Sequence, residues 1–325
     1  MATVEQTYLR SELVKRREKL QSVLSSPGAD ASLAQLLNQV DSALDQMDGG
    51  TFGLCEECHE SIEADRLLAD PLLRFCLDHL TQEERRALEG DLGLAARIQR
   101  GLLPRTDIHT AGWEARFHYE PLGLVSGDYC DLIETAGALI FAVGDVAGKG
   151  VAASMLMSHL HATFRSLIGV GLSLAQMLES ANRIFCESTI AGQYATLVFG
   201  RASASGEVEL VSAGHCPVLV SRGQTVERLD ATGVPLGMFC SSHFCSHKTQ
   251  LHPGNHLVVY TDGLSESHNS AGEEYGVERI AGHVGKNYHL TPQSLVAASL
   301  ADVRGFAAGA RRTDDLTILV LQRAA

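Results

Sequence analysis

The run Ile140-Phe141-Ala142-Val143-Gly144-Asp145-Val146-Ala147-Gly148-Lys149-Gly150 constrains the fold more than any other stretch of this 325-residue sequence. Ile140, Ala142 and Gly144 alternate with Phe141 and Val143 in an apolar run, which predicts a mostly buried strand. Asp145 then stands where the chain leaves the sheet. Gly148 and Gly150 permit a tight turn with close backbone approach. Leu156, Leu160, Phe164 and Leu167 follow at helical spacing. A carboxylate on a rigid strand end beside a flexible backbone suits a hard cation such as magnesium or manganese. The same pattern also describes a phosphate loop or an ordinary strand, turn and helix, so the other acidic strand ends decide its meaning.

Three further acidic positions stand at expected element ends. Asp128 lies in Ser126-Gly127-Asp128-Tyr129. Asp262 follows the apolar run Leu257-Val258-Val259-Tyr260 and precedes Gly263. Asp314, with Asp315 after it, precedes the strand Leu316-Thr317-Ile318-Leu319-Val320. With Asp145 these make four carboxylates beside rigid structure, and no Lys or Arg is read among them. Such a cluster is unstable unless cations neutralise it. Two cations sharing a bridging carboxylate neutralise it, and a water between them loses a proton near neutral pH and becomes a nucleophile. That chemistry is hydrolysis of a phosphate ester by in-line attack. One such aspartate alone reads as a turn former; four in Gly-flanked motifs do not.

From Trp113 onward the pattern is strands with two intervening helices. The second helix is expected over residues 174–187, with Leu174, Met177, Leu178, Ala181, Ile184 and Phe185 on one side. Strands are expected over 195–201, 208–212, 217–221, 256–261 and 316–322. Strands crowded together with few helices between them predict antiparallel sheets and an α+β architecture rather than a doubly wound sheet.

The N-terminal third reads differently. Leu9, Leu13 and Leu20 share one helical face, and Leu33, Leu36, Val40 and Met47 another. Ser25-Ser26-Pro27-Gly28 separates them, with Asp30 or Ser32 as a cap, so residues 1–50 read as a helical hairpin. The basic cluster of Arg10, Lys15, Arg16, Arg17 and Lys19 reads as a solvated face. Cys55-Glu56-Glu57-Cys58 and Cys76-Leu77-Asp78-His79 follow, and two such close pairs bring four soft or borderline ligands together tetrahedrally on zinc. Four protein ligands leave no open position, so the site is structural. His59 is a rival ligand but adjoins Cys58 too closely. Residues 51–80 thus form a zinc-finger module. Residues 81–103 read as an amphipathic linker helix with a Thr81 to Glu84 capping box and Pro104 after it; spacer, dimer seam and signal lever all remain open for it.

The net charge of −13 excludes general nucleic-acid binding and an anionic membrane surface. No apolar run of transmembrane length and no signal peptide is visible. Cys130, Cys186, Cys216, Cys240 and Cys245 show no disulfide framework, which points to a reducing cytoplasm.

Residues 52–79 resemble the zinc finger of the DksA/TraR family, including the preceding Gly-Gly-Thr-Phe-Gly, the Arg66-Leu67 pair and Pro71. That family commonly has four cysteines and uses acidic residues at the tip of a coiled coil to reach into RNA polymerase. Here His79 takes the fourth position, and the tip offers only Asp30. Farther on, GDYCD, GDVAGKG, AGHCP, GVPLG, LVVYTDGLSES, GEEYG and DDLTILV occur in this order. From about residue 97 to 322 the chain resembles the SpoIIE/RsbU branch of the metal-dependent protein phosphatase (PPM) superfamily. The resemblance implies an αββα sandwich of two antiparallel sheets flanked by helices over residues 104–325, with two Mn2+ or Mg2+ ions at one edge. By motif, Asp128 binds one ion, Asp145 bridges both, Val146 offers its backbone carbonyl, and Asp262 and Asp314 hold the other ion. Asp315 is expected to support the site, and Asp131 and Glu266 to be solvated or capping. Two departures stand out. The position two residues after the bridging aspartate, a His in many relatives, is Ala147, and no phosphate-binding Arg is seen near Asp128. His215 in AGHCP reads as a hydrogen-bonded turn residue.

The expected function is therefore a cytoplasmic, metal-dependent protein serine/threonine phosphatase. The resemblance implies a phosphorylated anti-sigma-factor antagonist or similar regulator as substrate. The zinc module is expected to regulate it through the linker helix, which also offers a seam for a homodimer. The alternative is an RNA-polymerase-binding zinc-finger regulator with the phosphatase half as scaffold.

Overall fold

Strand Ala138–Val146 is buried on both faces, and that explains the layering of the catalytic half. Leu139, Phe141 and Val143 point into one apolar cluster, and Ile140, Ala142 and Val146 into another. The strand's period of two thus serves two cores. The computed structural model describes residues 3–24, 31–189 and 192–324. It divides into two units, Met1–Asp91 and Leu92–Ala325.

In the first unit, α1 (Thr3–Leu24) and α2 (Ala31–Asp48) are followed by the short α3 (Ala64–Ala69) and a turn of 3-10 helix at Leu77–His79. Leu13, Leu20, Val40, Ala43 and Leu44 form the seam between the first two helices. Arg10 reaches Asp48 at 2.8 Å across it, as an antiparallel hairpin requires. The expected break at residues 25–28 and the cap at Asp30 lie outside the described residues, as does the side chain of Ser32. Helix α4 (Gln82–Leu102) begins with the expected capping box: Glu84 N donates to Thr81 Oγ1 and Thr81 N to the Glu84 carboxylate.

The second unit continues with β1 (Asp107–Thr110), β2 (Trp113–Glu120), β3 (Asp128–Thr135), β4 (Ala138–Val146), α5 (Gly150–Leu167), α6 (Leu174–Ser188), β5 (Ala195–Ser203), β6 (Glu207–Ala213), β7 (Val218–Arg222) and β8 (Thr225–Leu229). Then come β9 (His247–Gln250), β10 (His256–Tyr260), α7 (Asp262–Ser265), α8 (Gly276–Lys286), α9 (Pro292–Ala307) and β11 (Leu316–Arg323). One sheet has the order β1-β2-β11-β10-β7-β8 and the other β3-β4-β5-β6-β9. Every described pairing is antiparallel. Side chains of both sheets, among them Phe117, Phe141, Val198, Leu257 and Leu319, fill the space between them. Helices α5 and α6 cover the second sheet, and α8 and α9 cover the first. Packing is tight: a Cβ on Gly200, opposite Phe141 in the β4–β5 register, would lie 2.2 Å from the Phe141 ring. Full burial of such a ring contributes roughly 1.5–3 kcal/mol.

Two expectations need correction. The strand-rich half holds α7, α8 and α9 besides the two helices read from periodicity. Cys186 on α6 and Cys240 are joined in a disulfide with Cα atoms 5.7 Å apart. Their separation of 54 residues hid the pair in the sequence, and the argument from cysteine usage to a reducing compartment loses its support.

Candidate functional site

The strand register brings the first two acids together. Asp128 on β3 lies directly opposite Asp145 on β4, and Asp145 lies opposite Thr196 on β5. Like charges placed so destabilise a bare sheet. The second pair comes from the other sheet: Asp262 opens α7 immediately after β10, and Asp314 precedes β11. Asp128 is buried, and its Oδ2 accepts from Thr261 Oγ1 at 3.0 Å and Thr317 Oγ1 at 2.5 Å. Thr317 lies in β11 of the opposite sheet and Thr261 follows that sheet's β10, so Asp128 is tied across the sandwich.

Close backbone approaches hold the pairs in register. A Cβ on Gly127 would lie 2.9 Å from the Val146 carbonyl oxygen and 3.3 Å from Asp145 Oδ1. A Cβ on Gly263 would lie 1.7 Å from the Asp315 carbonyl oxygen. The Asp315 side chain accepts from Leu122 N at 2.6 Å and Gly127 N at 3.0 Å, which fastens the loop leading to Asp128. Gln99 on α4 clasps the same loop: its amide donates to Ser126 O at 2.7 Å and accepts from Ser126 N at 3.0 Å. Gly148 and Gly150, with φ of 100° and 74°, make the turn into α5.

The electrostatics follow from burial. Burial, then Asp145, raises the Asp128 carboxyl well above the usual range. Burial, then Asp262, Asp314 and Asp315, pushes Asp145 up to about 8. Burial, then Asp314, also raises Asp262. The expectation that no Lys or Arg stands among the acids fails at Lys149, whose Nζ lies 2.8 Å from Asp314 Oδ2 and donates to the Thr313 carbonyl. Lys149 was in the motif all along, but its reach to Asp314 depends on a fold contact 165 residues away in sequence. One half-exposed ammonium does not balance four carboxylates. The aspartates are an all-oxygen donor set suited to hard divalent ions, and they fit such ions chemically.

Other residues find different roles. Asp131, read as solvated or capping, is fully buried and receives Arg165 of α5 through two bonds of 2.7 and 2.8 Å. Glu266 is exposed beside Asp262. His215 is buried, with Nδ1 2.9 Å from Thr196 Oγ1, and burial lowers its pKa to about 4. It is neutral at pH 7. Thr261, Thr317, Thr196, Gln99 and Arg165 were missed, because an uncharged hydroxyl in a strand or a single charge on a helix carries no motif.

In the first unit, Cys55, Cys58, Cys76 and His79 place their ligand atoms within 4.8 Å of one another. Among the described residues this is the one metal-type group that converges so closely. His79 Nδ1 is 3.3 Å from Cys76 Sγ. The rival, His59, is exposed and outside the group.

Comparison with known proteins agrees with this geometry. The profile of the SpoIIE family (Stage II sporulation protein E) matches residues 135–324, a span that includes Asp145, Asp262 and Asp314 and begins after Asp128. The prokaryotic dksA/traR C4-type zinc finger profile matches residues 50–78 and ends just before His79. Protein IcfG of Synechocystis sp. is 26% identical over 72% of this chain, which spans only 41% of that relative. Phosphoserine phosphatase RsbU of Bacillus subtilis is 24% identical over 73% of this chain and 71% of its own length. The SiaA-PP2C domain of Pseudomonas aeruginosa superposes with a TM-score of 0.66 over 75% of this chain and 99% of that domain, at 20% identity. Such identity speaks for the fold alone, and the fold is the same two-sheet sandwich. With a family profile covering more than half of its length, the chain belongs to the SpoIIE family.

Proposed function

We propose that this chain is a Mn2+- or Mg2+-dependent protein serine/threonine phosphatase. The observation that carries the reading is that Asp145, paired with Asp128 across β3 and β4, also feels the charges of Asp262 and Asp314 at the ends of β10 and β11, where Lys149 pairs with Asp314. Asp128 would hold one ion, Asp145 both, and Asp262 and Asp314 the second, with the Val146 carbonyl as a further oxygen. Bound there, the ions would supply an activated water and offset charge on the phosphoryl group. The protein's own part is positioning. Thr261 and Thr317 orient Asp128, Asp315 and Gln99 fix its loop, and Ala147 leaves the leaving alkoxide without a side-chain acid at that position. His215, neutral and buried, does not replace one.

Cys55, Cys58, Cys76 and His79 would hold one structural zinc, whose bonds would replace much of the core that a module this small lacks. The substrate class is a phosphoprotein, a reading supported by the similarity to a phosphoserine phosphatase, and the motif resemblance adds a regulator of the anti-sigma-antagonist type as its candidate. Control by the zinc module would pass along α4, whose Gln99 grips the loop before Asp128. Exposed Leu94 and Ile98 on α4 support a homodimer along that helix. The polymerase-binding alternative turns on the tip acid Asp30, which lies outside the described residues.

Hydrolysis of p-nitrophenyl phosphate with Mn2+, in wild type and Asp145→Asn, tests the reading. The expected result is turnover that a chelator abolishes and the variant loses by at least about 100-fold, equivalent to ~2.7 kcal/mol of barrier. Metal-independent turnover, or a variant as active as wild type, overturns it.

A further inference from the structure

Beside the acidic edge lies a cleft of about 470 Å³, lined by Glu120, Gly263, His268, Arg304, Arg311 and Arg312 among others. It adjoins the proposed centre through the chain itself. Gly263 follows Asp262, and Arg311 and Arg312 lie three and two residues before Asp314. The turn that presents the arginines follows α9, where Ala308 and Gly309 have φ of 48° and 86°.

The charge balance of this cleft is opposite to that of the chain. Its lining holds three guanidinium groups and one carboxylate, and Arg304 and Arg312 both bond that carboxylate, Glu120, at 2.8 and 3.0 Å. Arg311 is exposed and has no ion-pair partner among the described residues. The whole chain carries −13. Arginine offers a planar fork suited to carboxylates. The cleft is larger than one small anion needs. An extended peptide advances about 3.3 Å per residue, so a phosphoserine at the acidic edge would leave its near neighbours within reach of the cleft.

We propose that this cleft binds acidic side chains flanking the phosphorylated residue of a protein substrate, with Arg311 as the free anchor. The inference deepens the phosphatase reading and rests on it. It assigns substrate choice to Arg311, Arg312 and Arg304, a feature apart from the metal-holding acids. It also gives an acidic partner a favourable landing place beside a centre whose own carboxylates would repel it.

The test compares two synthetic phosphoserine peptides, one flanked by Glu and the other by Ala at the same positions. Both are given to the full chain in Mn2+ and to Arg311→Ala and Arg311→Glu. KM is measured for each, and fluorescence anisotropy follows binding of the unphosphorylated Glu-flanked and Ala-flanked forms. Wild type should favour the Glu-flanked peptide by about tenfold in KM and in binding, the preference shrinking as salt rises. In Arg311→Ala it should fall toward one, and in Arg311→Glu it should reverse. Arg311 is exposed, so either variant is expected to fold. No preference in wild type, or a preference unchanged in both variants, overturns the proposal. Turnover of p-nitrophenyl phosphate in the same samples separates the two readings: a phosphatase without the preference loses only the cleft. If there is no turnover, the anisotropy comparison still decides whether the cleft takes acidic peptide.

Discussion

Asp145 pays for its position in stability. Burial and three neighbouring carboxylates raise its folded pKa to about 8, against 3.8 for an ordinary aspartate. A raised pKa means that its stabilising contribution is fully present below about 3.8 and is lost as pH rises through about 8. Without divalent cations, Asp145→Asn should therefore unfold at a higher temperature than wild type at pH 8. The two should converge near pH 4. A gain of about 1–2 kcal/mol, or roughly 2–8 °C, is expected, and thermal unfolding in chelator at both pH values measures it. A variant no more stable than wild type at pH 8 would refute this account of the residue. At this scale Asp128, Asp145 and Asp262 were legible because each stands beside glycine at the end of an expected element, and Asp314 because it comes just before an apolar run. Thr261 and Thr317 were not, because their bonds to Asp128 span 133 and 189 residues. Lys149 was visible as a letter and invisible as a partner of Asp314.

The elements hold the acids through close contact between α7 and β11. Gly263 leaves no room for a methyl group, because its Cβ would meet the Asp315 carbonyl at 1.7 Å. Gly263→Ala must separate Asp262 from Asp314 and Asp315. The expected cost is about 1–3 kcal/mol of stability, as for other overpacked sites. Mn2+-dependent turnover should fall at least tenfold, roughly. Turnover within twofold of wild type would show that the contact is dispensable. Elements with strong periodicity, β4, α5 and α6, were readable from their apolar spacing. Strands β8 and β9 were not: β8 exposes Thr225, Glu227 and Arg228, and β9 is the polar edge segment His247-Lys248-Thr249-Gln250. Helix α9 announced itself only by Thr291-Pro292, a cap with proline at the first turn, while its Ala-rich middle gives a weak stripe. Helix α8 includes Gly282 and Gly285, which weaken a helical reading, yet Gly285 packs where a Cβ would lie 2.7 Å from the Gln224 carbonyl.

Across the whole molecule, two donor sets lie in two units, sulfur and nitrogen in one and carboxylate oxygen in the other. The first unit's finger buries only a small apolar set, Cys55, Ile62, Leu67 and Cys76, so its order should depend on metal. Purified protein should carry about one zinc per chain, and Cys58→Ser should lose most of it and become open to proteolysis within residues 51–80. Metal analysis and limited digestion read this out; full zinc in the variant would exclude Cys58 as a ligand. The finger's spacing made the convergence of Cys55, Cys58, Cys76 and His79 legible from sequence, because close pairs of Cys and His are local. The centre made of oxygen ligands is assembled from distant segments, and the sheet order shows how. β11 sits between β2 and β10 inside its sheet, and Asp314 and Asp315 lead into it. Without that strand the sheet is split between β2 and β10 and the acids leading into it have no anchor, so closing the sheet and gathering the acids are one event rather than two.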